Sequence, residues 1–155
     1  MDVVALVCWV AAAFGGFYLL ATWLQSGGMR QQHHGPTRFP AVLVFGHFTF
    51  AGAGMLVWLA YLFDQQQHTA ALALALISVT ALLGAVLFAR WLPGQFSTPT
   101  LARSATSPGD TGNAERITAA EEPAAEQTFP LASVVGHGVL AALTLVLVLV
   151  ITLGS

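Results

Sequence analysis

Two histidines occupy the same place in two copies of a short motif, and their imidazoles are the side chains of this sequence best suited to chemistry. The first copy, FPAVLVFGH, runs from Phe39 to His47, and the second, FPLASVVGH, runs from Phe129 to His137. Each copy opens a long apolar run and places its histidine about two helical turns inside that run. Imidazole can ligate a metal or transfer a proton near neutral pH. An ionisable side chain within an apolar span therefore marks a candidate functional site.

The composition indicates an integral membrane protein. Of the 155 residues, 56% are hydrophobic and 8% are charged, and the mean hydropathy is +0.74, whereas soluble domains carry about 25% charged residues. The chain has no lysine, and its arginines do not form a basic surface, which excludes a nucleic-acid partner. The single cysteine, Cys8, lies in an apolar run, so no disulfide framework exists.

Four apolar runs are long enough to cross a bilayer, for which about 20 residues are needed. They cover residues 3–24, 41–63, 70–92 and 131–153. Because length without charge is the signal, we predict an all-α, integral membrane four-helix bundle. The first run begins beside Asp2, lacks a basic segment and is too long for a signal peptide, so it is predicted to be a retained helix.

The predicted connections between these runs differ in length. Residues 25–38 form a polar, glycine-rich loop, and residues 64–69 form a short turn. Residues 93–128 form a long polar loop rich in Ser, Thr, Pro, Ala and Glu, whose composition predicts mobility. Within that loop, residues 115–126 are predicted to form a short helix at the membrane surface.

The arginines predict how the bundle is oriented in the cell membrane. They lie only in or beside the first and third loops, at Arg30, Arg38, Arg90, Arg103 and Arg116. The N-terminus, the second loop and the C-terminus carry acidic residues alone, Asp2 and Asp64. The positive-inside rule then predicts both termini outside and the loops 25–40 and 93–128 in the cytoplasm.

Aromatic residues near the ends of the runs are predicted to anchor the bundle at the two membrane interfaces, where tryptophan and tyrosine are enriched. Trp23 and Trp91 are expected at the cytoplasmic interface. Trp9, Trp58 and Tyr61 are expected toward the outer interface.

The repeat extends to the first and third runs. The pattern GxxLxAxWL begins at Gly16 and again at Gly84, 68 residues later, whereas the two histidines are 90 residues apart. The difference equals the extra length of the third loop. The sequence therefore predicts a duplicated helical hairpin, with halves related by a pseudo-twofold axis along the membrane normal. Chance matching between alanine- and leucine-rich segments is the alternative.

The second and fourth runs place the two histidines at equal depth. Each histidine lies eight residues past the phenylalanine that opens its motif, or about 12 Å along its helix. In an up-and-down bundle these two helices are diagonal partners, so we expect the imidazoles to be too far apart to touch directly. That separation suits a flat macrocycle, because haem iron can take one histidine nitrogen on each side.

Small residues beside the histidines would leave room for a porphyrin. Gly46 and Gly136 directly precede the two histidines, and Ala51 and Ala141 follow one turn later. Small residues equally permit tight helix packing without a cofactor. Ser133, one turn before His137, is expected to orient that imidazole.

The propionates of such a haem would turn to the cytoplasmic interface, where Arg30, Arg38 and Arg90 can reach carboxylates. With these features the chain resembles membrane b-type cytochromes, in which histidines from two helices of a four-helix bundle hold haem b. The resemblance covers the four runs and the two Gly-His positions. It implies one haem b per chain, with His47 and His137 as axial ligands, since many such families use four histidines for two haems.

Three functions follow from these residues. The resemblance implies a redox subunit in the lipid bilayer that relays electrons between a quinone or a neighbouring redox subunit and a cytoplasmic-side partner, alone or as a homo-oligomer. A cofactor-free accessory or scaffold subunit is the first alternative. A small transporter that uses the histidines as proton or metal sites is the second, although the outer halves of the runs are almost without polar residues. His33, His34 and His68 are predicted to be loop residues.

Overall fold

A computed structural model describes residues 1–33, 35–95 and 123–154. Over these residues the prediction of an all-helical chain with four long apolar helices is confirmed, and each helix has the length and composition needed to cross a membrane. The helices are α1 (Asp2–Gln25), α2 (Ala41–Asp64), α3 (Gln67–Gln95) and α4 (Leu131–Gly154). Short 3-10 turns lie at Arg30–Gln32 and Ala125–Thr128.

Local sequence explains where the helices begin and end. α2 follows Pro40 and α4 follows a second proline, which suits a helix start because the missing N–H would have no intrahelical partner there. After α1 the chain turns through Gly27, which is left-handed with φ 82°. The N–H groups of Gly27 and Gly28 return to the carbonyls of Leu24 and Trp23 and so close the last turn.

α3 begins three residues before its predicted start because Asp64 organises the turn that precedes it. The Asp64 carboxylate accepts hydrogen bonds from the N–H of Gln66 at 2.9 Å and from Oγ1 of Thr69 at 2.8 Å. Residues 67–69 are polar, yet these bonds make them the first turn of the helix.

The four helices form an up-and-down bundle. α2 packs most closely on α3 and α1 most closely on α4, whereas the pairs α3 with α4 and α1 with α2 touch less. α2 and α4 are therefore diagonal partners, as are α1 and α3. The close pairs join helices from different halves of the predicted repeat.

Buried side chains form two separate clusters. The terminal cluster, at the end that carries the chain termini, consists of Ala5, Trp9, Trp58, Tyr61, Ala70, Ala73, Ile77 and Val148. The loop cluster, at the opposite end, consists of Trp23, Phe39, Trp91 and Ala125. The five aromatic residues predicted near the two interfaces all belong to these clusters, Trp23 and Trp91 at the loop end and the other three at the terminal end. They are 5% exposed or less, because the helices turn these faces toward each other.

Between the two clusters lies a level at which no residue of the four helices is buried. We call it the middle level, and it comprises residues 13–22, 41–53, 81–90 and 131–143. These stretches of ten to thirteen residues correspond to about 15 to 20 Å of helix. Both repeated histidines lie in the middle level, and both are half-buried rather than buried.

The two described ends of the long third loop are held in place. α3 continues through Pro93, and residues 123–128 pack against the first loop. Glu126 is buried, and its carboxylate accepts hydrogen bonds from Thr37 Oγ1 at 2.7 Å and from the N–H of Arg38 at 2.6 Å. At residues 93–95 and 123–128 the structure thus differs from the mobile loop that composition predicts. Other predictions, on His34, Arg103, Arg116 and most of the short helix at 115–126, lie outside the described residues.

Candidate functional site

The imidazoles of His47 and His137 face each other within the middle level. Each histidine is the seventh residue of its helix, α2 or α4, so the two lie at one depth. Their ring centroids are 6.2 Å apart and their planes are inclined by 70°. The rings are closer than the diagonal position of their helices predicts.

Each imidazole is held by a carbonyl group of the helix beside it. His47 Nδ1 donates to the carbonyl oxygen of Thr80 on α3 at 2.9 Å, and His137 Nδ1 donates to that of Ala12 on α1 at 2.8 Å. A carbonyl oxygen can only accept, so Nδ1 carries the hydrogen in the neutral ring and Nε2 keeps its lone pair. The α1 carbonyl, rather than the predicted Ser133, thus orients His137.

Two glycines open the way to these carbonyls. Ala12 and Thr80 each stand four residues before a glycine, Gly16 on α1 and Gly84 on α3. A side chain at that place would lie over the carbonyl and meet the imidazole. A Cβ at Gly84 would stand 2.9 Å from Cε1 of His47, and one at Gly16 would stand 3.1 Å from Cε1 of the other histidine. Glycine therefore allows each ring to lie directly on the neighbouring helix.

The same offsets relate every part of the two half-sites. The histidines are 90 residues apart, while the two residues whose carbonyls accept from them, the two glycines and the two tryptophans, Trp23 and Trp91, are each 68 residues apart. These are the offsets of the repeated motifs. The half-sites are also chemically the same, because in both an imidazole binds a carbonyl one turn before a glycine.

The imidazoles of His47 and His137 suit a metal whose other ligands are not side chains of the described residues. Among the described residues no group of three or more His, Cys, Asp or Glu side chains converges on one point, so this part of the chain does not enclose a bare metal ion. Two imidazoles on opposite sides of one metal have ring centroids about 6 Å apart, given metal–nitrogen bonds of about 2 Å. The observed separation of 6.2 Å matches that geometry.

Two indole groups at the loop end of the site have no hydrogen-bond partner. Nε1 of Trp23 and Nε1 of Trp91 are the buried side-chain nitrogen or oxygen atoms without a partner among residues 1–33, 35–95 and 123–154. Buried polar groups are nearly always paired. The sequence predicts only a position near a membrane interface for both residues, and not that their N–H groups are buried without a partner. The available signal was their spacing, seven residues after Gly16 and Gly84 and hence on the same helix faces.

The small residues predicted beside the histidines do not all line the site. Gly136 is exposed, with open space where a Cβ would be, and Gly46 faces Leu83 at 3.9 Å. Ala51 and Ala141 are half-buried in the middle level. The glycines that touch the imidazoles stand instead on α1 and α3.

The three predicted propionate-binding arginines lie at the rim of the bundle. Arg30, Arg38 and Arg90 are all exposed, and Arg90 Nη1 donates to the carbonyl oxygen of Arg38 at 3.1 Å. Arg90 also borders a groove of about 430 Å³ on the outer surface between α2 and α3, which Gly46 and Leu83 line. The arginines thus surround the loop end but do not enter it.

The remaining histidines stand apart from the site. His33 is exposed in the first loop, and His68 is exposed in the first turn of α3. A comparison with protein-family models, curated proteins and solved structures finds no match for this chain. What His47 and His137 do must therefore follow from their own chemistry and surroundings.

Proposed function

We propose that this chain is a multi-pass membrane electron-transfer subunit that binds one haem b between His47 and His137. The observation that carries the proposal is the pair of Nδ1 hydrogen bonds to helix carbonyls. They leave Nε2 of each ring available at one depth, with the ring separation that two axial ligands need. Haem supplies a single-electron couple, and the protein sets its potential through ligands, hydrogen bonds and burial.

The two imidazoles would act as a matched pair of strong ligands. A hydrogen bond from Nδ1–H to a carbonyl fixes the tautomer and the ring orientation, and it raises the basicity of Nε2. Both axial positions of the iron would be filled, so the centre would exchange electrons rather than bind oxygen. Gly16 and Gly84 would hold each ring against a rigid helix during that exchange.

We also propose that the chain arose by duplication of a helical hairpin. The two halves would be related by a half-turn about the membrane normal. The shared offsets of 68 and 90 residues support it, since they connect hydrogen-bond partners as well as residue types. Buried positions follow the same offsets, as Ala5 and Ala73 in one pair and Trp58 and Val148 in another show. A cofactor on the half-turn axis would meet two equivalent ligands.

We place the loops 25–40 and 93–128 in the cytoplasm and both termini outside, in a cell membrane. The exposed arginines at the loop end support this orientation, as does their absence from the described residues of the terminal end. The histidines, seven residues into α2 and α4, would then lie about 10 Å from the loop end. The haem would therefore be in the cytoplasmic half of the bilayer.

That depth determines the redox partners we propose. Electrons would pass between a quinone in the inner leaflet or a neighbouring redox subunit and a partner on the cytoplasmic side. The groove beside Arg90 opens to the bundle surface and is lined by Gly46, the residue next to His47. The neighbouring subunit is either a different protein or a second copy of this chain.

The two alternative functions explain less of the site. A cofactor-free scaffold subunit accounts for the carbonyl bonds of the histidines, but it gives no role to the two Nε2 atoms. A transporter needs a polar path across the bilayer. The terminal cluster blocks such a path with apolar side chains, including Trp58 and Val148, which are 0% exposed.

The experiment that tests the proposal is a visible spectrum of the purified full-length protein with substitutions of single histidines. The wild type should bind one haem per chain with a low-spin, six-coordinate spectrum. His47→Ala and His137→Ala should each abolish that spectrum, because each removes an axial nitrogen. His33→Ala and His68→Ala are controls and should leave it unchanged. A wild type without haem, or histidine variants that keep the low-spin spectrum, would support the scaffold function instead.

A further inference from the structure

We propose that the indole N–H groups of Trp23 and Trp91 each bind one propionate carboxylate of the haem. The inference rests on the proposed function, and it assigns to two tryptophans the role that was predicted for the arginines. Its starting point is the burial of the two side chains, which are 1% and 3% exposed, together with the lack of an acceptor for either Nε1 among the described residues.

An indole N–H can only donate, so each of these groups needs an oxygen acceptor. The buried carboxylate nearest to them in the chain is Glu126, next to Ala125 of the loop cluster, and it already accepts from Thr37 and Arg38. A Cβ at Gly28 would lie within 2.5 Å of Cδ2, Cε2 and Nε1 of Trp23. Gly28 thus lies against the face of that indole, and no acceptor among the described residues reaches its N–H group.

The tryptophans lie where propionates would reach. Trp23 stands seven residues after Gly16, and Trp91 seven after Gly84, so each is two turns, or about 10 Å, beyond the glycine that touches a histidine. The direction is toward the arginine-bearing end of the bundle. The histidines on α2 and α4 would occupy the two faces of the porphyrin. The other two helices, α1 and α3, which carry the tryptophans, would then lie beside its edges.

The symmetry of haem explains why there are two such groups. The two propionates leave one edge of the macrocycle, and a half-turn about the line through the iron and between them exchanges them. The proposed half-turn between the hairpins exchanges Trp23 with Trp91 in the same way. One indole would therefore serve each carboxylate, and charge-assisted bonds of this kind are stronger than neutral ones.

The test uses Trp23→Phe and Trp91→Phe, singly and together, in the full-length protein loaded with haem b. Phenylalanine keeps an aromatic ring in the loop cluster and removes the N–H group together with the rest of the five-membered ring. Each substitution should speed haem release about tenfold, and the pair about a hundredfold, because a hydrogen bond to a charged group is lost each time. The reduction potential should fall, since an unbonded carboxylate stabilises the ferric state.

A second porphyrin shows whether the indoles act through the propionates. An iron porphyrin with ethyl groups in place of both propionates should leave wild type and double variant at the same rate. Trp58→Phe is the matched control, because Trp58 is buried in the terminal cluster and its N–H donates to the carbonyl of Asp2. It should not change the release of either porphyrin.

Equal release of haem b from wild type and double variant would overturn the tryptophan inference and leave the haem centre intact. A difference that persists with the ethyl-substituted porphyrin would also overturn it. A wild type that binds no haem overturns the proposed function itself. Should a variant fail to fold, ultraviolet resonance Raman spectra of the wild type decide. The indole N–H bands must shift on loading with haem b and stay unshifted with the ethyl-substituted porphyrin.

Discussion

At the residue scale, Gly16 and Gly84 determine how closely each imidazole approaches a helix backbone. In an α-helix a carbonyl already accepts the N–H four residues later, and a side chain at that later position covers the second lone pair. Here the later position is glycine in both half-sites, and the second lone pair accepts Nδ1–H of a histidine. The cost of glycine within a helix, about 1 kcal/mol, is offset by the hydrogen bonds that orient the two imidazoles.

Gly84→Ala should therefore disturb the site more than Gly16→Ala. The added Cβ would stand 2.9 Å from Cε1 of His47 in the first case and 3.1 Å from Cε1 of His137 in the second. We expect the haem occupancy of the low-spin form to fall in both variants, measured by the visible spectrum at equal protein concentration.

Gly136→Ala is the matched control for these substitutions. It adds the same methyl group directly beside His137, but open space lies where its Cβ would be. It should leave the spectrum unchanged and stabilise α4 slightly, because alanine has the higher helix propensity. If Gly136→Ala impaired haem binding as much as Gly84→Ala, the contact between glycine and imidazole would not be what positions the ligands.

At the element scale, two connections act together to close the loop end of the bundle. Gln31 of the first loop donates to the carbonyl of Pro123 at 3.1 Å and accepts the N–H of Ala125 at 3.0 Å. Glu126 adds a second contact between the same two connections, since its carboxylate accepts hydrogen bonds from Thr37 Oγ1 and from the N–H of Arg38. Residues 123–128 therefore fix the approach of the chain to α2 as well as to α4.

Glu126→Gln should destabilise the protein by about 1–3 kcal/mol, because an amide can replace only one of the two carboxylate acceptors and leaves a buried donor unpaired. Thermal unfolding in detergent measures the loss. Gln127→Ala is the control, since its side chain is exposed beside Glu126; it should change stability by no more than about 0.5 kcal/mol. Equal stability of the two variants would show that Glu126 does not hold the loops together.

The helices could be predicted closely and their packed faces could not. Run length and the absence of charge locate every helix end within three residues, because a bilayer-spanning helix needs little else. Trp23 and Trp91 lie at the predicted end of the bundle, but their burial could not be predicted because aromatic residues near a helix end suit an interface and a core equally well. The repeated histidines were visible as a motif, but their carbonyl partners lie on other helices and only the packing of α2 on α3 and of α1 on α4 brings them together.

At the scale of the whole molecule, the division of the core into two clusters is the feature that a cofactor would explain. The terminal and loop clusters contain the buried hydrophobic side chains, whereas the middle level contains no buried residue over ten or more positions of each helix, and its Leu20 and Leu87 pack partly buried against the loop cluster. Protein interiors are normally close-packed. A flat group held by His47 and His137 would lie in the middle level, between the terminal cluster and the loop cluster.

The orientation of the bundle then decides in which half of the membrane the two histidines lie, and the two ends of α3 test it. Gln66, just before α3, and Gln95, its last residue, are exposed and about 40 Å apart along the helix. In a Cys8→Ser background, Gln66→Cys should react with an impermeant maleimide added to intact cells. Gln95→Cys should react only after the membrane is made permeable, because arginine-bearing ends stay in the cytoplasm. The reverse pattern would move the histidines to the outer half of the bilayer and the redox partner to the outer surface, while the ligand geometry within the bundle would stay the same.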